Sequence, residues 1–429
     1  MSLLPARTAG SSTGPLLPLT VVDELPLPAG RVAVVRDAAG TLFGVPAVEG
    51  ALRRAAPGEG LAESLVASLA AGTRRVGQFE LVAWHAEPAF GEEAVTVDQT
   101  NESVVVGSLA VVKWIVRPTV GEHPAPHRLA LLTAAGFRGM PRPWGLLLWH
   151  DPTTAGDEPA LLASVAELVP AAQDGWDWAV EDGRAVARGE LLAPYDLVPA
   201  LSLGGLCADL HLALAAAGSR PATADEASSW HTAAVAALDE AIELAAATEG
   251  SASSLLPGRH RAAGLLKGLA EGAGTPLIPV HGDLHVGQVL RSESATAERS
   301  RYLLTDFDGS PVLASSERLA PMPAALDVAG MTQSIDHVGR VVVRRTPDVD
   351  ASVVMSWARR AQASFLDTYR RGLSAAGRSD LLDERLLASF RVQQECREHI
   401  YAARHLPHWS YVPEAAMPDL LDELSTDGG

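Results

Sequence analysis

Two short stretches of the sequence each place an acid-bearing loop beside an apolar strand: His281-Gly282-Asp283-Leu284-His285-Val286-Gly287-Gln288-Val289-Leu290 and Tyr302-Leu303-Leu304-Thr305-Asp306-Phe307-Asp308-Gly309. Asp283, the Gln288 amide and Asp306 offer hard oxygen ligands of the kind that suit Mg²⁺, which completes its shell with phosphate and water. Phosphoryl transfer uses such a set: one carboxylate accepts the proton of the attacking hydroxyl, and an amide and a second carboxylate hold the metal. Either stretch alone is more often a strand and a turn, but the pair in this order favours a phosphoryl-transfer site.

The composition indicates a folded, acidic chain. Its 429 residues are 47% hydrophobic and 20% charged, which is enough to bury a core and excludes a disordered or collagen-like chain. At about 150 residues per domain, the length predicts two or three domains. The 52 Asp and Glu residues outnumber the 34 Lys and Arg residues, for a net charge of −18. This charge argues against nucleic acid or an anionic membrane surface as the main partner.

Cysteine usage and hydropathy predict a protein of the cytoplasm. Cys207 and Cys396 are the two cysteines of the chain, too few and too isolated for a zinc site or a disulfide framework. They are expected to be buried thiols. No apolar run approaches the roughly 18 residues of a membrane span, and the first residues lack the pattern of a secretory signal.

The periodicity of the chain predicts an α+β fold with three parts. Residues 1–90, with strands near 31–35 and 41–45 and a helix over 60–71, are interpreted as an N-terminal cap module. Residues 91–180 form a β-rich lobe with a hinge near 167–170. Residues 181–429 form a helical lobe that contains the two stretches quoted above. A cleft between two lobes is expected to hold the ligands.

Several residues of the β-rich lobe are candidates for binding a nucleotide. Lys113 lies in the middle of an apolar strand, where an uncommitted lysine would be costly, although an exposed lysine on an edge strand is the alternative. There is no glycine-rich phosphate loop, but backbone amides around Asn101 and Ser103 could cradle phosphate as a polar turn. At the hinge, an adenine would bond backbone groups near Glu167 and Val169.

One expected part of a kinase is missing from this lobe. The lysine that contacts the phosphates normally has an acidic partner on the following helix. His127 occupies the expected position of that partner, and Glu122 is the nearest acid before it. The orientation of Lys113 is therefore not determined by the sequence.

The end of the chain offers groups that could bind a sugar. Gln394 and Glu398 are spaced i, i+4 and share one helical face. Trp409 and Tyr411 follow the predicted helix end, and aromatic rings stack on the C–H faces of sugars while carboxylate and amide groups bind hydroxyls or an amine. The alternative is that the two aromatic residues pack the helix end and that Glu398 is solvated.

The residues from His281 resemble the catalytic loop of the aminoglycoside phosphotransferase-like kinases, His-Gly-Asp-Leu-His-x-Gly-Asn, with Gln288 in place of Asn. The residues from Asp306 resemble the metal-binding Asp-Phe-Asp/Glu of that family. The resemblance implies a bilobal protein-kinase-like fold that uses ATP and Mg²⁺. It also implies that Asp283 is the catalytic base, Gln288 a metal ligand and Asp306 the principal metal ligand. His285 and Asp327 match family positions too, and hydrogen bonds that brace the loop are the expected role for both.

The N-terminal module and the stretch up to Gly107 resemble the maltokinase branch of this family. The pattern Gln394-x-x-x-Glu398, followed by Leu406-Pro407-x-Trp409-x-Tyr411-x-Pro413, resembles the actinobacterial glucosamine kinases, a sister group. This resemblance implies ATP-dependent phosphorylation of the 6-hydroxyl of glucosamine, with Glu398 and Asp308 binding the amine or hydroxyls. His285, Gln394, Trp409 and Tyr411 complete the expected sugar site.

Two alternatives to glucosamine phosphorylation stay open at this point. One is a maltokinase that makes maltose 1-phosphate, and the other is a catalytically silent kinase fold that binds a sugar or nucleotide. Phosphorylation of aminoglycosides is less favoured, because such polycations would need a wider acidic groove. A monomer or weak homodimer is expected.

Overall fold

The computed structural model describes residues 19–48, 50, 53–95, 102–121, 123–154, 159–247, 255–292, 301–310, 312–313 and 315–426. Its contacts divide the chain into two compact units. The N-terminal unit comprises residues 1–133 and 140–171, and the C-terminal unit comprises residues 134–139 and 172–429. The first is rich in strands and the second in helices, so the predicted α+β class is confirmed.

The N-terminal unit contains two antiparallel sheets. The first sheet has the order β1-β2-β3 and the second the order β4-β5-β9-β10-β8-β7-β6. The strands are β1 Thr20–Leu27, β2 Gly30–Arg36, β3 Leu42–Val48, β4 Arg74–Val76, β5 Phe79–Ala83, β6 Glu92–Ala94, β7 Glu102–Val106, β8 Ala110–Trp114, β9 Pro143–Trp149 and β10 Ala160–Glu167, and the helices are α1 Leu61–Ala70 and α2 Pro124–Ala134.

The boundaries of the parts expected from the sequence differ from those of the structure. Strands from both sides of residue 90 pair in the seven-stranded sheet, because β5 pairs with β9. The cap module and the β-rich lobe therefore share one sheet. The main segment of the C-terminal unit begins at Ala172 rather than near residue 180, because the helix that follows packs on the helices of that unit.

The C-terminal unit consists mainly of helices, with two small three-stranded sheets of order β11-β14-β15 and β12-β13-β16. The strands are β11 Ala172–Gln173, β12 Arg220–Pro221, β13 Pro276–Ile278, β14 Val289–Ser292, β15 Arg301–Leu304 and β16 Met322–Pro323. The helices are α3 Gly175–Ala187, α4 Val198–Ala215, α5 Ala224–Ala247, α6 Leu255–Leu266, α7 Ser315–Leu319, α8 Ala325–Arg345, α9 Ala351–Ala375, α10 Leu387–His405 and α11 Tyr411–Thr426.

One helical segment is longer and more apolar than expected from the sequence. Residues 195–215, which include α4, are long and apolar enough to cross a membrane by length and composition, so the expectation that no run approaches that length was wrong. In the structure, α4 packs along α9. Cys207 and Leu210 are fully buried, and His211 forms buried hydrogen bonds. The segment is therefore a core helix of the C-terminal unit. Both cysteines are free and buried, as expected.

Candidate active site

One face of α8 supports the loop that contains Asp283. Asp327 accepts hydrogen bonds from the backbone N–H groups of His281 (2.7 Å) and Gly282 (2.8 Å). One turn later, Gly330 allows the loop backbone to approach, since a Cβ there would lie 2.7 Å from the Leu284 oxygen. One turn further, the Ser334 hydroxyl accepts from the loop at 3.0 Å. Three residues on one helical face thus fix the position of the loop.

Asp327 is held by a buried network of its own. His211 Nε2 lies 3.1 Å from its carboxylate, and the other ring nitrogen of His211 lies 2.7 Å from the Tyr369 hydroxyl. Burial raises the pKa of Asp327, but the hydrogen bond and charge of His211, with the charge of His281, hold its pKa below the usual value. Asp327 therefore stays ionised and keeps its two backbone donors. It braces the loop, as the sequence analysis expected.

A hairpin brings the two predicted metal ligands to one end of a sheet. Strand β14 follows Gln288 and pairs with β15 in the register Val289↔Leu304. The Gln288 carbonyl accepts from the Thr305 N–H at 2.9 Å, and Asp306 is the next residue. Asp306 is exposed and adopts φ 62°, a left-handed conformation that aspartate tolerates better than most residues. Such strained positions cluster at functional sites.

Asp283 is linked to Gln288 through the ring of His285. Its carboxylate is 4.0 Å from His285 Nε2, and that nitrogen is 3.3 Å from the Gln288 side-chain amide nitrogen. His285 Nδ1 accepts from the Gly287 N–H at 3.0 Å, so the proton of a neutral ring lies on Nε2 and faces Gln288. When the side-chain amide of Gln288 directs its oxygen to that proton, the oxygen accepts a hydrogen bond with one lone pair. Its second lone pair can then bind a cation.

The donor set of this site fits Mg²⁺. Among the residues that the structure describes, no group of three or more His, Cys, Asp or Glu could hold a metal ion. Mg²⁺ does not need such a cage, because it is usually bound through one or two carboxylates together with substrate phosphates and water. An exposed carboxylate at Asp306 and an amide at Gln288 have that character.

In the N-terminal unit, Lys113 lies on an internal strand. Strand β8 runs between β10 and β7, and Lys113 pairs with Ser164 on one side and Ser103 on the other. Its neighbours Val112 and Trp114 are buried in the core, so the half-buried Lys113 lies on the opposite face of the sheet. The alternative of a lysine on an edge strand is excluded.

Glu167 and Val169, at the predicted hinge, lie at the end of the N-terminal unit. The Glu167 N–H donates to the Arg142 carbonyl at 2.8 Å, so this group is already committed. Val169 is half-buried at the end of the same unit. Asn101 and the acid Glu122 lie outside the described residues, and His127 is exposed on α2.

Two of the predicted sugar ligands, Gln394 and Glu398, lie on α10. The Gln394 amide donates to Glu398 at 3.1 Å, and the Trp409 indole N–H donates to the same carboxylate at 3.2 Å. Trp409 is buried, with 9% of its surface exposed, so it positions Glu398 rather than offering an open ring face. Tyr411 is half-buried beside it, with ring centroids 6.2 Å apart. Asp308, two residues after Asp306, is also half-buried.

Trp176 is also a member of this site, although no motif in the sequence indicated it. Its ring lies 5.1 Å from Trp409 in an edge contact and 6.3 Å from His285. Gly287 makes room for it, since a Cβ there would lie 2.7 Å from the Trp176 indole nitrogen. Asp174 begins α3 by accepting from the Trp176 N–H at 2.9 Å, a role that suits aspartate at a helix N-terminus. Trp176 therefore connects the catalytic loop to the α10 site.

The charge of Asp283 acts on two further residues of α10, Arg397 and Tyr401. Burial lowers the pKa of the Arg397 guanidinium, and the carboxylates of Asp283 and Glu317 act in the opposite direction. Burial, followed by the charges of Glu398 and Asp283, raises the pKa of the Tyr401 hydroxyl. Arg397 and Tyr401 are three and seven residues after Gln394, so helical spacing could have placed them on the same face.

A buried ion pair lies behind this face. His337 Nε2 is 2.7 Å from Glu395, which also accepts from the Gln333 amide at 2.6 Å. Burial alone would lower the pKa of His337, but the charge of Glu395 and the hydrogen bond to it raise the pKa to about 9. His337 is therefore a cation near neutral pH, and its ring centroid lies 6.5 Å from that of Trp409.

The His337 pair predicts a loss of stability at alkaline pH. Because folding raises the pKa of His337 from 6.5 to about 9, its contribution is complete below about pH 6.5 and is lost as the pH rises through about 9. We expect the free energy of unfolding to fall by up to about 3 kcal/mol across this range. Urea unfolding at several pH values measures it. His337→Gln should flatten this slope and the exposed His260→Gln should not; an unchanged slope in His337→Gln would contradict the assignment.

Two known proteins to which the sequence is similar have the same activity. No protein-family model matches the sequence. The chain is 50% identical over 404 residues to a glucosamine kinase from Streptacidiphilus jiangxiensis, across 92% of this chain and 90% of that protein. It is 43% identical over 411 residues to a glucosamine kinase from Mycolicibacterium smegmatis, across 94% and 98%.

Solved structures agree with the sequence comparison. A glucosamine kinase in complex with glucosamine, ADP and inorganic phosphate is 49% identical, with a TM-score of 0.82 over 94% of each chain. Another crystal form of a glucosamine kinase gives a TM-score of 0.81 at 49% identity, over 94% of this chain and 92% of that one.

Proposed function

The chain belongs to the glucosamine kinases, and from this premise we propose that it transfers the γ-phosphoryl group of ATP to the 6-hydroxyl of glucosamine. The observation that carries the proposal is the hydrogen bond between the Gln288 carbonyl and the Thr305 N–H. This bond brings the amide of Gln288 and the carboxylate of Asp306 to the hairpin end beside the Asp283 loop. Oxygen ligands next to a carboxylate base are what phosphoryl transfer to an alcohol requires.

Asp283 acts as the base in the proposed reaction. Its carboxylate accepts the proton of the 6-hydroxyl while the sugar oxygen forms a bond to the γ-phosphorus. The bond between that phosphorus and the β,γ-bridging oxygen breaks, and ADP leaves with the electron pair. The rigid support of the loop by Asp327 keeps the carboxylate in position, which is how an enzyme gains most from orientation.

The remaining groups hold the nucleotide. Gln288 and Asp306 would hold Mg²⁺. A bound Mg²⁺ would neutralise part of the negative charge on the β- and γ-phosphates. In the N-terminal unit, we assign Lys113, Ser103 and Asn101 to the phosphates and the backbone near Glu167 and Val169 to the base. ATP as donor agrees with the ADP in the similar glucosamine kinase structure. A cytoplasmic location and a monomeric or weakly dimeric state stay predictions.

Glu398 is the group that we assign to the ammonium of glucosamine. It is half-buried, and both of its hydrogen-bond donors, the Gln394 amide and the Trp409 indole, are neutral. The nearby cation of His337 is paired with Glu395. The Glu398 carboxylate therefore keeps a charge that an ammonium can neutralise. We assign Asp308, His285 and Tyr411 to the sugar hydroxyls and ring.

The Glu398→Gln variant tests this assignment. We expect KM for glucosamine to rise by about 10- to 100-fold, because a charge-assisted hydrogen bond becomes a neutral one. KM for the uncharged analogue glucose should change by no more than about threefold, because it lacks the ammonium. Initial rates with both sugars measure the effect. Equal losses for both sugars would mean that Glu398 does not select the amine.

A substrate panel tests the proposed function as a whole. The purified protein is assayed with ATP and Mg²⁺ against glucosamine, N-acetylglucosamine, glucose, maltose and an aminoglycoside. We expect kcat/KM to be highest for glucosamine. A clear preference for maltose would identify a maltokinase instead, and the absence of turnover with every sugar would favour a silent kinase fold.

A further inference from the structure

Trp176 has a fixed position because the start of α3 packs closely against the loop that carries the proposed base. A Cβ on Gly175 would lie 1.8 Å from the Val286 carbonyl oxygen, so the two backbones can approach this closely only at a glycine. Two residues after Trp176, the Trp178 indole N–H donates to the Val289 carbonyl at 2.9 Å in a buried hydrogen bond. These two contacts flank Trp176 in the sequence and hold its backbone against the loop.

The ring of Trp176 contacts both parts of the proposed sugar site. Its centroid lies 6.3 Å from that of His285, and His285 Nε2 is 4.0 Å from the Asp283 carboxylate. It also lies 5.1 Å from the Trp409 ring in an edge contact, and the Trp409 indole N–H donates to Glu398 at 3.2 Å. Trp176 therefore joins the neighbour of the proposed base to the neighbour of the proposed amine ligand.

The substrate of the proposed function has to engage both of these carboxylates at once. Glucosamine is a ring of fixed size with its ammonium on C2 and the reacting hydroxyl on C6. When the ammonium is bound to Glu398, the distance from Glu398 to Asp283 decides whether the hydroxyl reaches the base. Glu398 lies on α10, whereas the loop that contains Asp283 is supported by α8, so different elements hold the two groups. A displacement of about 1 Å can lower a rate by about a hundredfold.

We propose that Trp176 is a positioning residue that acts through Trp409 on the Glu398 carboxylate. It holds that carboxylate at the distance from Asp283 that glucosamine requires, and so favours the amino sugar over uncharged sugars. Trp176 needs no contact with the sugar for this role. The inference rests on the proposed function, since it concerns the placement of the two ends of glucosamine. Glucose has no ammonium, so its placement depends less on Glu398.

Initial rates with glucosamine and glucose test the inference. In Trp176→Ala, we expect kcat/KM to fall by about 10- to 100-fold for glucosamine and by no more than about threefold for glucose. Trp176→Phe keeps an aromatic ring beside Trp409 and should stay within about threefold with both sugars. Trp178→Phe is the contrast variant, because it loses the hydrogen bond to Val289 while its own ring packs against Tyr302. Any loss that it causes should be equal for the two sugars.

A double-mutant cycle shows whether Trp176 acts through Glu398. In the Glu398→Gln background, the additional change Trp176→Ala should lower kcat/KM for glucosamine by no more than about threefold, because the carboxylate that Trp176 positions has already lost its charge. The same cycle is measured on the Kd of glucosamine by calorimetry, which needs no turnover. There, Trp176→Ala should raise the Kd by about three- to tenfold in the unaltered background and leave it nearly unchanged in Glu398→Gln.

The pattern of losses separates the possible outcomes. Losses from Trp176→Ala and Glu398→Gln that multiply would overturn the inference, and so would an equal loss with glucose in Trp176→Ala, because either result means that Trp176 only supports the loop. If the unaltered protein produced no phosphorylated glucosamine, the proposed function would fail instead. Thermal unfolding confirms that each variant is folded. If Trp176→Ala did not fold, Trp176→Leu, which keeps apolar bulk without an aromatic edge, replaces it with the same expectations.

Discussion

The Asp283→Ala variant is expected to lose turnover by about a thousandfold or more while its affinity for ATP stays within about threefold of the unaltered protein. Removal of the base leaves the sugar hydroxyl without an acceptor for its proton. The loop itself should keep its place, because its hydrogen bonds to Asp327 and Ser334 involve the backbone and not the Asp283 side chain. Steady-state kinetics and calorimetric titration with ATP measure the two quantities.

Asp283→Asn and Asp367→Asn complete this experiment. Asp283→Asn keeps the size of the side chain and should be as inactive as the alanine variant. Asp367 is exposed on α9 and forms a surface ion pair with Arg371, so Asp367→Asn should keep full activity. A loss of ATP binding as large as the loss of turnover would show that Asp283 holds the nucleotide and is not the base.

The Asp306→Asn variant is expected to lose the dependence of nucleotide affinity on Mg²⁺. We expect ADP affinity in the presence of Mg²⁺ to fall by about 10- to 100-fold, to the value measured with a chelator, because a neutral amide is a much weaker ligand for a hard cation. Asparagine is preferable to alanine here, because Asp306 has φ 62° and asparagine also tolerates the left-handed region. Calorimetry with and without Mg²⁺ measures the effect.

The chain offers a matched control for the Asp306 experiment. Asp348 is also an exposed aspartate with a positive φ, 65°, but it lies in the turn between α8 and α9. Asp348→Asn should leave the Mg²⁺ dependence intact. If Asp306→Asn kept the same difference in affinity with and without Mg²⁺ as the unaltered protein, the assignment of Asp306 as a metal ligand would be wrong.

Local patterns in the sequence predicted the parts of the fold that depend on short-range spacing. The helix over 60–71 appears as α1, and the strands near 31–35 and 41–45 appear as β2 and β3. The family resemblance carried by the loops at Asp283 and Asp306 is confirmed by the two relatives and the solved structures. These features are encoded by residues that lie close together in the sequence.

Other features depend on contacts that the sequence does not display. Strand β5 joins the sheet of β9 across more than 60 residues of chain, and no local pattern reveals such a pairing. The helix α11 contains Pro418 in its interior, a residue that normally ends a helix. Trp176 reaches the site because α3 packs against the loop that contains Asp283, so its spacing from Asp283 in the sequence carried no signal.

The position of the phosphate on the product tests the central claim most directly. The unaltered protein is incubated with ATP, Mg²⁺ and glucosamine, and a proton–phosphorus correlation spectrum identifies the carbon that bears the phosphate. The account predicts a correlation between the new phosphorus signal and the two protons on C6. Phosphate on C1, or release of inorganic phosphate alone, would contradict it.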